Sequence, residues 1–591
     1  MSEGAPRVSV VRSRRRWSSG GPARLLGAAF AAALLPLSAT APVVAQEVLR
    51  GEPGATLRAA GGMVVSEHPE ASRAGAEVLA AGGNAVDAAI ATGFALAVTW
   101  PAAGNIGGGG FMVIRFPDGT STTLDFRERA PMAADPDMWL EDGEYSARRH
   151  HDSHLAVGVP GTVAGFDKAH RLYGTVDWAE VVSPAVELAR DGFVLSEGLA
   201  ESLGRLVQRR GEYPATVAAF SRGGEPYAAG DVLVQSDLAG TLERIRDRGA
   251  DGFYRGETAD LLVEEMERGG GIITHEDLER YRARERTPVT VDYRGWQVTS
   301  MPPPSSGGVA IATMLNILEG YDLEALGPDS PETLHLLAEA MRRAFRDRAA
   351  YLGDTDVVDV PLHWLTSDAH AAELRGTIDP TRASVSSPMD VRQVTESMET
   401  THYSVVDGSG MAVSVTYTLE QGYGSGIVVP GAGFLLNNEM GDFNAGPGLT
   451  DENGLIGTEP NLARPGQRML SSMSPAIISR DGELVAVVGS PGGRTIINTV
   501  LQVILNLTTF GMDLPEAIAA PRIHHQWLPD RISAEETLDP ATVAALEAMG
   551  HTVTVRGTQG LAHSILVDPV SGLLVGQPDG RNPESGAAGV R

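Results

Sequence analysis

The chain has 591 residues, no cysteine and a single lysine, Lys168, and its 47 basic and 75 acidic side chains give a formal net charge of −28. These counts exclude a cysteine nucleophile, a disulfide, an iron–sulfur cluster and cysteine-ligated zinc, so a covalent enzyme of this composition would use serine, threonine or a carboxylate. The negative charge argues against nucleic acid and anionic membrane surfaces as partners.

The first 45 residues have the pattern of an export signal. Six arginines precede an apolar run at residues 25–37, and small residues follow up to Ala45. We expect cleavage after Ala45, or alternatively after Ala41, and a mature protein that is periplasmic or secreted. An uncleaved anchor is disfavoured because prolines interrupt a run barely long enough to span a membrane. No stable membrane association is expected after cleavage.

Two helices are predicted early in the mature chain. The first begins near Pro69 and runs to Ala81, where glycines stop it. Asn84 can cap a second helix over residues 85–98, which is nearly all apolar and should be buried. The glycine run at residues 107–110 precedes a strand and lacks the spacing of a dinucleotide loop, so it does not indicate a nucleotide site.

Amphipathic helices are predicted over residues 160–385, followed by a polar, exposed linker near residues 376–399. Residues 401–406 and 411–418 then form the two strands of a hairpin around a turn at 407–410. The other predictions in this part are strands at 433–436, 475–479, 484–488 and 564–567, and a helix at 495–508. Long buried helices mixed with antiparallel hairpins indicate a layered α+β fold rather than a doubly wound sheet.

Two short motifs leave alternatives open. Residues 150–154, His-His-Asp-Ser-His, could hold a metal, although a solvated loop beside two arginines is the favoured interpretation. Ser305 and Ser306 could expose a nucleophile in a proline-rich turn, although a tight-turn role is favoured.

The junction between Glu399 and Thr400 is the most informative point in the chain. The polar linker ends there, and a strand begins with threonine. If this bond were cut, Thr400 would carry a free α-amine with a pKa of roughly 8, a usable general base beside its own hydroxyl. Taken alone, the junction could also be the edge of a threonine-rich strand.

At this point the sequence resembles a known family, the gamma-glutamyltransferases of the N-terminal-nucleophile hydrolase superfamily. The resemblance runs in order from about residue 60 to the C-terminus. Its motifs are residues 107–111, 125–128, 154–161, 301–308, 400–407, 412–419, 435–440, 470–475 and 489–493.

The resemblance implies self-cleavage before Thr400, with residues 46–399 as a large subunit and 400–591 as a small subunit. Thr400 would be the nucleophile, and the hydroxyl of Thr418 would orient it. The backbone N–H groups of Gly492 and Gly493 would form the oxyanion hole, since glycine lets donors approach a developing charge closely.

The resemblance also implies how the substrate is bound. Arg127, with Ser471 and Ser472, would bind the α-carboxylate of a γ-glutamyl group. Glu420, Glu439 and Asp442 would surround its α-ammonium. Without the family pattern, an ion pair of Arg127 with Asp125 or Glu128 would be the simpler interpretation.

Two features qualify this assignment. Many family members have asparagine at the position of Glu420, so three carboxylates here face one ammonium and repel one another. Residues 444–457 correspond to a lid loop that some relatives lack, and their glycines suit a mobile cover.

The implied protein is an exported gamma-glutamyltransferase and glutathione hydrolase with a four-layer αββα core. It would transfer the γ-glutamyl group of glutathione and related compounds to water, amino acids or dipeptides, releasing cysteinylglycine from glutathione. No cofactor or metal is expected, and the two subunits should remain one heterodimer. The alternatives are a glutaryl- or cephalosporin-type acylase of the same superfamily and a non-catalytic exported binding protein.

Overall fold

The computed structural model describes residues 46–387, 400–449, 451, 453 and 457–591, so the predicted signal segment and Glu399 lie outside the described residues. The helices are α1 Pro69–Ala80, α2 Ala85–Thr99, α3 Ala147–His151, α4 Thr162–Tyr173, α5 Trp178–Asp191, α6 Glu197–Arg209, α7 Pro214–Phe220, α8 Ser236–Arg248, α9 Asp251–Tyr254, α10 Glu257–Gly269, α11 His275–Arg280, α12 Gly307–Leu318, α13 Leu323–Leu326, α14 Pro331–Tyr351, α15 Leu362–Leu365, α16 Asp368–Arg375, α17 Thr495–Thr508, α18 Leu514–Ala519 and α19 Pro540–Ala548.

The strands are β1 Val48–Arg50, β2 Leu57–Ala59, β3 Gly62–Ser66, β4 Gly109–Arg115, β5 Ser121–Asp125, β6 Leu140–Glu141, β7 Glu144–Tyr145, β8 Phe193–Val194, β9 Val232–Leu233, β10 Arg284–Arg286, β11 Val289–Tyr293, β12 Trp296–Ser300, β13 Thr401–Asp407, β14 Ala412–Thr418, β15 Ala476–Arg480, β16 Glu483–Val488, β17 Ile523–His524, β18 Ile532–Glu535, β19 Val553–Arg556, β20 Ser564–Val567, β21 Leu574–Gln577 and β22 Gly586–Val590.

Two antiparallel sheets form the centre of the fold. One has 8 strands in the order β1-β22-β3-β13-β14-β4-β5-β10, and the other has 7 in the order β11-β12-β15-β16-β20-β21-β2. The hairpin β13–β14 lies in the middle of the first sheet, between β3 and β4. Because neighbouring strands in both sheets run antiparallel, the α+β class is confirmed and a doubly wound sheet is excluded.

Apolar side chains separate the fold into four layers. Met63, Val113, Val487 and Ile565 belong to the core between the two sheets. Helices α1, α2, α4 and α5 form a second core over the first sheet, and α12, α14 and α17 form a third over the second sheet. This order of helix, sheet, sheet and helix is the expected αββα architecture.

Most local predictions are confirmed, because caps and hydrophobic periodicity are local signals. Asn84 forms a capping box at the start of α2, whose residues are all buried. Helix α17 has the predicted bounds. The strand predicted at 433–436 is wrong, because Gly433 has a positive φ of 77° and a Cβ there would lie 2.3 Å from the backbone of Leu238. Only an isolated bridge between Val428 and Leu435 forms there.

No helix in the described part of the chain combines the length and the apolarity needed to cross a membrane. The described portion of the linker, residues 376–387, is partly or fully exposed, as expected.

Phe166 offers a direct test of the helix layer over the first sheet. It is fully buried, with its ring centroid 5.1 Å from that of Phe94 and 5.6 Å from that of Phe126. We expect Phe166→Ala to lower the free energy of unfolding by about 3–5 kcal/mol in urea denaturation, because the surrounding rings cannot close the cavity. Leu172→Ala is the matched control: Leu172 lies on the same helix and is 49% exposed, so an equal loss in both variants would contradict this packing.

Candidate active site

The central hairpin places two threonines side by side. Thr400 directly precedes β13, and Thr418 ends β14. Because the antiparallel register pairs Thr401 with Tyr417, Thr400 lies next to Thr418. Both threonines are buried, with 7% and 3% of their surface exposed.

The glycine run at residues 107–110 holds the backbone close to the end of β14. A Cβ at Gly108 would lie 2.0 Å from the carbonyl oxygen of Thr418, and one at Gly109 would lie 2.4 Å from that of Phe126. Asn105, just before the run, donates a 2.9 Å hydrogen bond from Nδ2 to the same Thr418 oxygen. The glycines therefore serve close backbone packing around Thr418.

A cavity of about 20 Å³ brings the two threonines together with most of the other predicted site residues. It is lined by Arg127, Thr400, Thr418, Glu420, Glu439, Asp442, Ser471, Ser472, Met473, Gly493 and Ile496. This volume holds a single water molecule. Of the predicted residues, Gly492 is adjacent to the lining and Glu399 lies outside the described residues.

Arg127 is held between two carboxylates. Its Nη1 donates to Glu439 and its Nη2 donates to Asp442, while its Nε donates to the carbonyl of Met469 at 3.3 Å. Burial alone would lower the pKa of this guanidinium, but the carboxylates outweigh it and raise the pKa above its ordinary value. The family resemblance assigned Glu439 and Asp442 to a substrate ammonium; in the structure both carboxylates also neutralise Arg127, because a fully buried cation requires opposite charge.

The carboxylates around Arg127 outnumber the one guanidinium, and the pKa values of two of them are raised. Burial raises the pKa of Glu128 to about 8, against the opposing charge of Arg127. Burial also raises the pKa of Glu439 well above its ordinary value; Arg127 opposes this shift, while Glu128 and Asp442 add to it. Like charges in a buried site cannot all ionise at once, so part of this cluster is protonated near neutral pH.

Glu420 is turned into the site by an unusual backbone conformation. Its φ is +81°, which a non-glycine residue rarely adopts, and its backbone N–H donates to Oγ1 of Thr418 at 2.9 Å. Its Oε1 lies 3.2 Å from Nδ1 of His151. Burial lowers the pKa of His151, against the opposing charge of Asp442.

The expectation of a solvated loop at residues 150–154 is wrong. His150 and His151 end the short helix α3. His150 is buried, with its ring centroid 4.4 Å from that of Trp139 and its Nε2 3.2 Å from the carbonyl of Met440. The His150 imidazole therefore packs in the protein interior, against Trp139 and the Met440 carbonyl. The arginines that precede it in sequence had suggested a solvent-exposed segment instead.

The segment Gly492–Gly493 leads into the N-terminus of α17. Thr495 and Ile496 donate backbone hydrogen bonds of 3.1 Å to the carbonyls of Gly492 and Gly493, respectively. Among the described residues, no acceptor is hydrogen-bonded to the N–H groups of these two glycines. Two such N–H groups at the start of a long helix can stabilise a developing negative charge in the adjoining cavity.

The loop that carries Ser471 and Ser472 is anchored by the proline-rich turn. Ser305 Oγ donates to the carbonyl of Met473 and Ser306 Oγ donates to that of Ser471, each at 2.6 Å. These bonds agree with a structural role for the turn rather than a nucleophile. The buried Arg348 donates from Nε to Ser306 Oγ at 2.9 Å and from Nη2 to Ser472 Oγ at 3.2 Å.

Comparison with known proteins identifies the family. The gamma-glutamyltranspeptidase family model matches residues 71–589. The chain belongs to the gamma-glutamyltranspeptidase family.

The chain is similar to relatives that are named for two different activities. It is 47% identical to the glutathione hydrolase proenzyme of Escherichia coli K12 over 96% of this chain and 98% of the relative. It is 39% identical to the acylase ACY 1 proenzyme of Pseudomonas sp. V22 over 83% of this chain and 87% of the relative.

Solved structures support the same assignment. The cephalosporin acylase of Bacillus halodurans superposes with a TM-score of 0.80 at 28% identity, covering 91% of this chain and 97% of that chain. One chain of Helicobacter pylori gamma-glutamyltranspeptidase superposes with a TM-score of 0.53 at 46% identity, covering 54% of this chain and 91% of that chain.

Within the described residues, a different cluster has the side chains to hold a metal ion: His335, Glu339 and His551. Its groups already bind one another and their neighbours. Nδ1 of His335 lies 2.7 Å from Nε2 of His551, and Glu339 accepts hydrogen bonds from Arg343 and Ser384. A metal would have to displace these partners, and the cluster is separate from the cavity beside Thr400.

Four residues beside the cavity were not predicted to be site residues: Asn105, Glu128, His151 and Arg348. Glu128 was considered only as an ion-pair partner of Arg127, although it lies within the motif 125–128, and Asn105 lies just before the motif 107–111, so proximity in sequence was an available signal for both. His151 and Arg348 approach the site through α3 and α14, and only the packing of those helices brings them there.

The raised pKa of Glu128 predicts a pH-dependent stability. The groups that face this carboxyl are Arg127, Asp125, Glu439 and Asp442. The ordinary pKa of 4.5 applies to the unfolded chain and about 8 to the folded chain, so the folded state holds the extra proton. Protonated Glu128 therefore stabilises the folded state relative to ionised Glu128. This contribution to the free energy of unfolding is fully present below about pH 4.5 and is lost as the pH rises to about 8.

We therefore expect Glu128→Gln to become more stable relative to the wild type as the pH rises from 5 to 8, because the amide cannot ionise. Thermal unfolding midpoints at both pH values measure this difference. The exposed Glu547, changed to Gln, is the control and should show no pH-dependent difference from the wild type. A constant difference between Glu128→Gln and the wild type across this range would contradict the raised pKa.

Proposed function

We propose that this chain is a self-processing gamma-glutamyltransferase and glutathione hydrolase with Thr400 as its nucleophile. The observation that carries the proposal is the composition of one cavity. It is lined by Thr400 at the start of a central strand, by one guanidinium and by three carboxylates. The name of the E. coli relative, glutathione hydrolase proenzyme, supports both the activity and the processing.

In this proposal residues 1–45 are removed on export to the periplasm or the outside of the cell, and cleavage between Glu399 and Thr400 divides the rest. Strands from residues 46–399 and 400–591 alternate in both sheets: β13 and β14 lie between β3 and β4, and β15 lies beside β12. Because these strands share hydrogen bonds and three cores, the two products remain one heterodimer.

The chemistry follows from the position of Thr400. After cleavage its α-amine accepts the hydroxyl proton, and Oγ1 attacks the γ-carbonyl carbon of the substrate. The N–H groups of Gly492 and Gly493 stabilise the oxyanion, and Thr418 orients the nucleophile. The C–N bond then breaks as the leaving amine takes the proton. Water or an amine of an amino acid or dipeptide subsequently attacks the γ-glutamyl ester and frees Thr400.

Recognition of the γ-glutamyl group uses the two opposite charges carried by its α-carbon. Arg127, Ser471 and Ser472 bind the α-carboxylate, while Glu420, Glu439 and Asp442 bind the α-ammonium. Since the lining has more carboxylates than guanidinium groups, an ammonium adds the positive charge that the cavity lacks. It favours the ionised form of Glu439, whose pKa is otherwise raised by burial. The proposed lid, residues 444–457, follows Asp442 in sequence, and its residues 450, 452 and 454–456 lie outside the described residues.

An acylase activity is the second candidate, because relatives named as acylases match most of the chain. A glutaryl substrate has the same chain length as γ-glutamate but lacks the α-ammonium. The carboxylate surplus therefore argues against it.

Turnover of γ-glutamyl anilide and glutaryl anilide distinguishes these activities, since the two compounds differ only in the α-amino group. We expect kcat/KM to be about 10- to 100-fold higher for the γ-glutamyl compound, the effect of a hydrogen-bonded charge in a buried site. Asp442→Asn should lower the ratio of the two kcat/KM values, because it removes one carboxylate that would bind the α-ammonium. Equal or greater turnover of the glutaryl compound would favour the acylase assignment.

Processing is tested on a denaturing gel and by N-terminal sequencing. By residue share, residues 46–399 and 400–591 account for about 37 and about 20 of the 62.1 kDa. We expect these two bands from the wild type, a small chain that begins at Thr400, and one uncut band from Thr400→Ala. A single band from both proteins would support a non-catalytic binding protein instead, and a different N-terminus would refute Thr400 as the nucleophile.

A further inference from the structure

A second, larger cavity adjoins the catalytic one. Its volume is about 710 Å³, and its lining includes Ser202, Arg205, Arg209, Arg210 and Gln421. We refer to this cavity as the arginine groove. It is large enough to accept a dipeptide-sized group.

The charge of the arginine groove is opposite to that of the protein. Three arginines and no carboxylate line it, although acids outnumber bases by 75 to 47 in the chain. Outside the lining, Glu201 lies 3.6 Å from Arg205 and Asp152 lies 2.6 Å from Arg210. Among the described residues, no carboxylate forms an ion pair with Arg209. The groove therefore has a net positive charge that is suited to an anionic ligand.

The C-terminal end of α6 supplies all three arginines. Arg205 and Arg209 are four residues apart on α6, so their side chains lie on the same face of the helix. Arg210 follows the helix and packs its aliphatic stem over Gly426, where a Cβ would lie 2.6 Å from Cγ of the arginine. Gly426 has a φ of +71°, a conformation that glycine adopts without strain.

The linings of the two cavities contain consecutive residues of the chain. Glu420 lines the catalytic cavity, and the next residue, Gln421, lines the arginine groove. The end of α3 contacts both linings: His151 contacts Glu420 of the catalytic cavity, and the next residue, Asp152, contacts Arg210 of the groove. Glu420 and Gln421 are therefore the point at which the linings of the two cavities come closest in sequence.

We propose that the arginine groove binds the C-terminal carboxylate of peptides attached to, or accepting, the γ-glutamyl group. The inference rests on the proposed function, which places the γ-glutamyl unit in the catalytic cavity. The leaving dipeptide of glutathione then spans about 7 Å from the scissile amide, and long arginine side chains extend to meet it. The preferred substrates are thus γ-glutamyl peptides with a free carboxylate, and dipeptide acceptors bind through the same groups.

Glutathione and its C-terminal amide test this proposal, because they differ only in the charge that the groove would bind. In the wild type we expect kcat/KM to be about five- to tenfold higher for glutathione, and the preference to shrink as salt screens the groove. In the double variant Arg205→Gln, Arg209→Gln the ratio of the two kcat/KM values should approach one. Arg190→Gln, which removes an exposed arginine from α5, should leave the ratio at its wild-type value.

Each result has a definite meaning. A wild type that turns over both compounds equally would overturn the groove assignment while leaving the proposed function intact, and this measurement needs no variant to fold. A wild-type preference that survives in the double variant would also overturn it. Failure to turn over γ-glutamyl anilide, glutathione or its amide would instead refute the proposed function and, with it, the groove's role.

Discussion

The register of the β13–β14 hairpin is the constraint on which the rest of the site depends. Pairing Thr401 with Tyr417 sets Thr400 beside Thr418. A slip of one residue would turn every side chain of β13 to the opposite face of the sheet. The hairpin is fixed on both edges, by β3 and by β4, and the glycine run beside β4 permits the close approach to Thr418.

Burial of Arg127 is the second constraint, and it explains why so many acids surround one cation. A guanidinium with no exposed surface is tolerated only when carboxylates neutralise it and accept its hydrogen bonds. Glu439 and Asp442 do this directly, and Glu128 is nearby at 3.5 Å. The number of carboxylates exceeds what one guanidinium requires, so burial and mutual repulsion raise the pKa values of Glu128 and Glu439. The same charge imbalance makes the protonation of the site depend on pH.

Sequence predicted much of this fold and the identity of most lining residues, but for two different reasons. The bounds of α2 and α17 follow from caps and hydrophobic periodicity, which act within a few residues. The residues around the cavity followed from the ordered motifs of a family. Neither source shows that Glu439 and Asp442 pair with Arg127, because those partners are more than 300 residues apart in sequence.

Arg348 and His151 were missed for the same reason: their roles arise only when α14 and α3 pack against the site. The incorrect strand at 433–436 shows the opposite failure, in which apolar residues suggested a strand but tertiary contacts and two positive-φ glycines prevented it. Local pattern decides the structure only where packing does not override it.

The turn after Thr418 contributes lining residues to both cavities. Carboxylates predominate among the charged side chains of the catalytic cavity, and arginines among those of the groove. Glu420 and Tyr423 adopt positive φ values of 81° and 70°, and Gly424 and Gly426 follow with values of 58° and 71°. Such angles are costly for non-glycine residues, by roughly 1–3 kcal/mol each, and persist only where surrounding structure requires them. Their effect is to place a carboxylate in the catalytic cavity and to begin an arginine-lined surface one residue later. In the proposed substrate, a γ-glutamyl peptide, the α-amino-acid group lies at one end and the C-terminal carboxylate at the other, so the change of charge at this turn agrees with the proposed groove assignment.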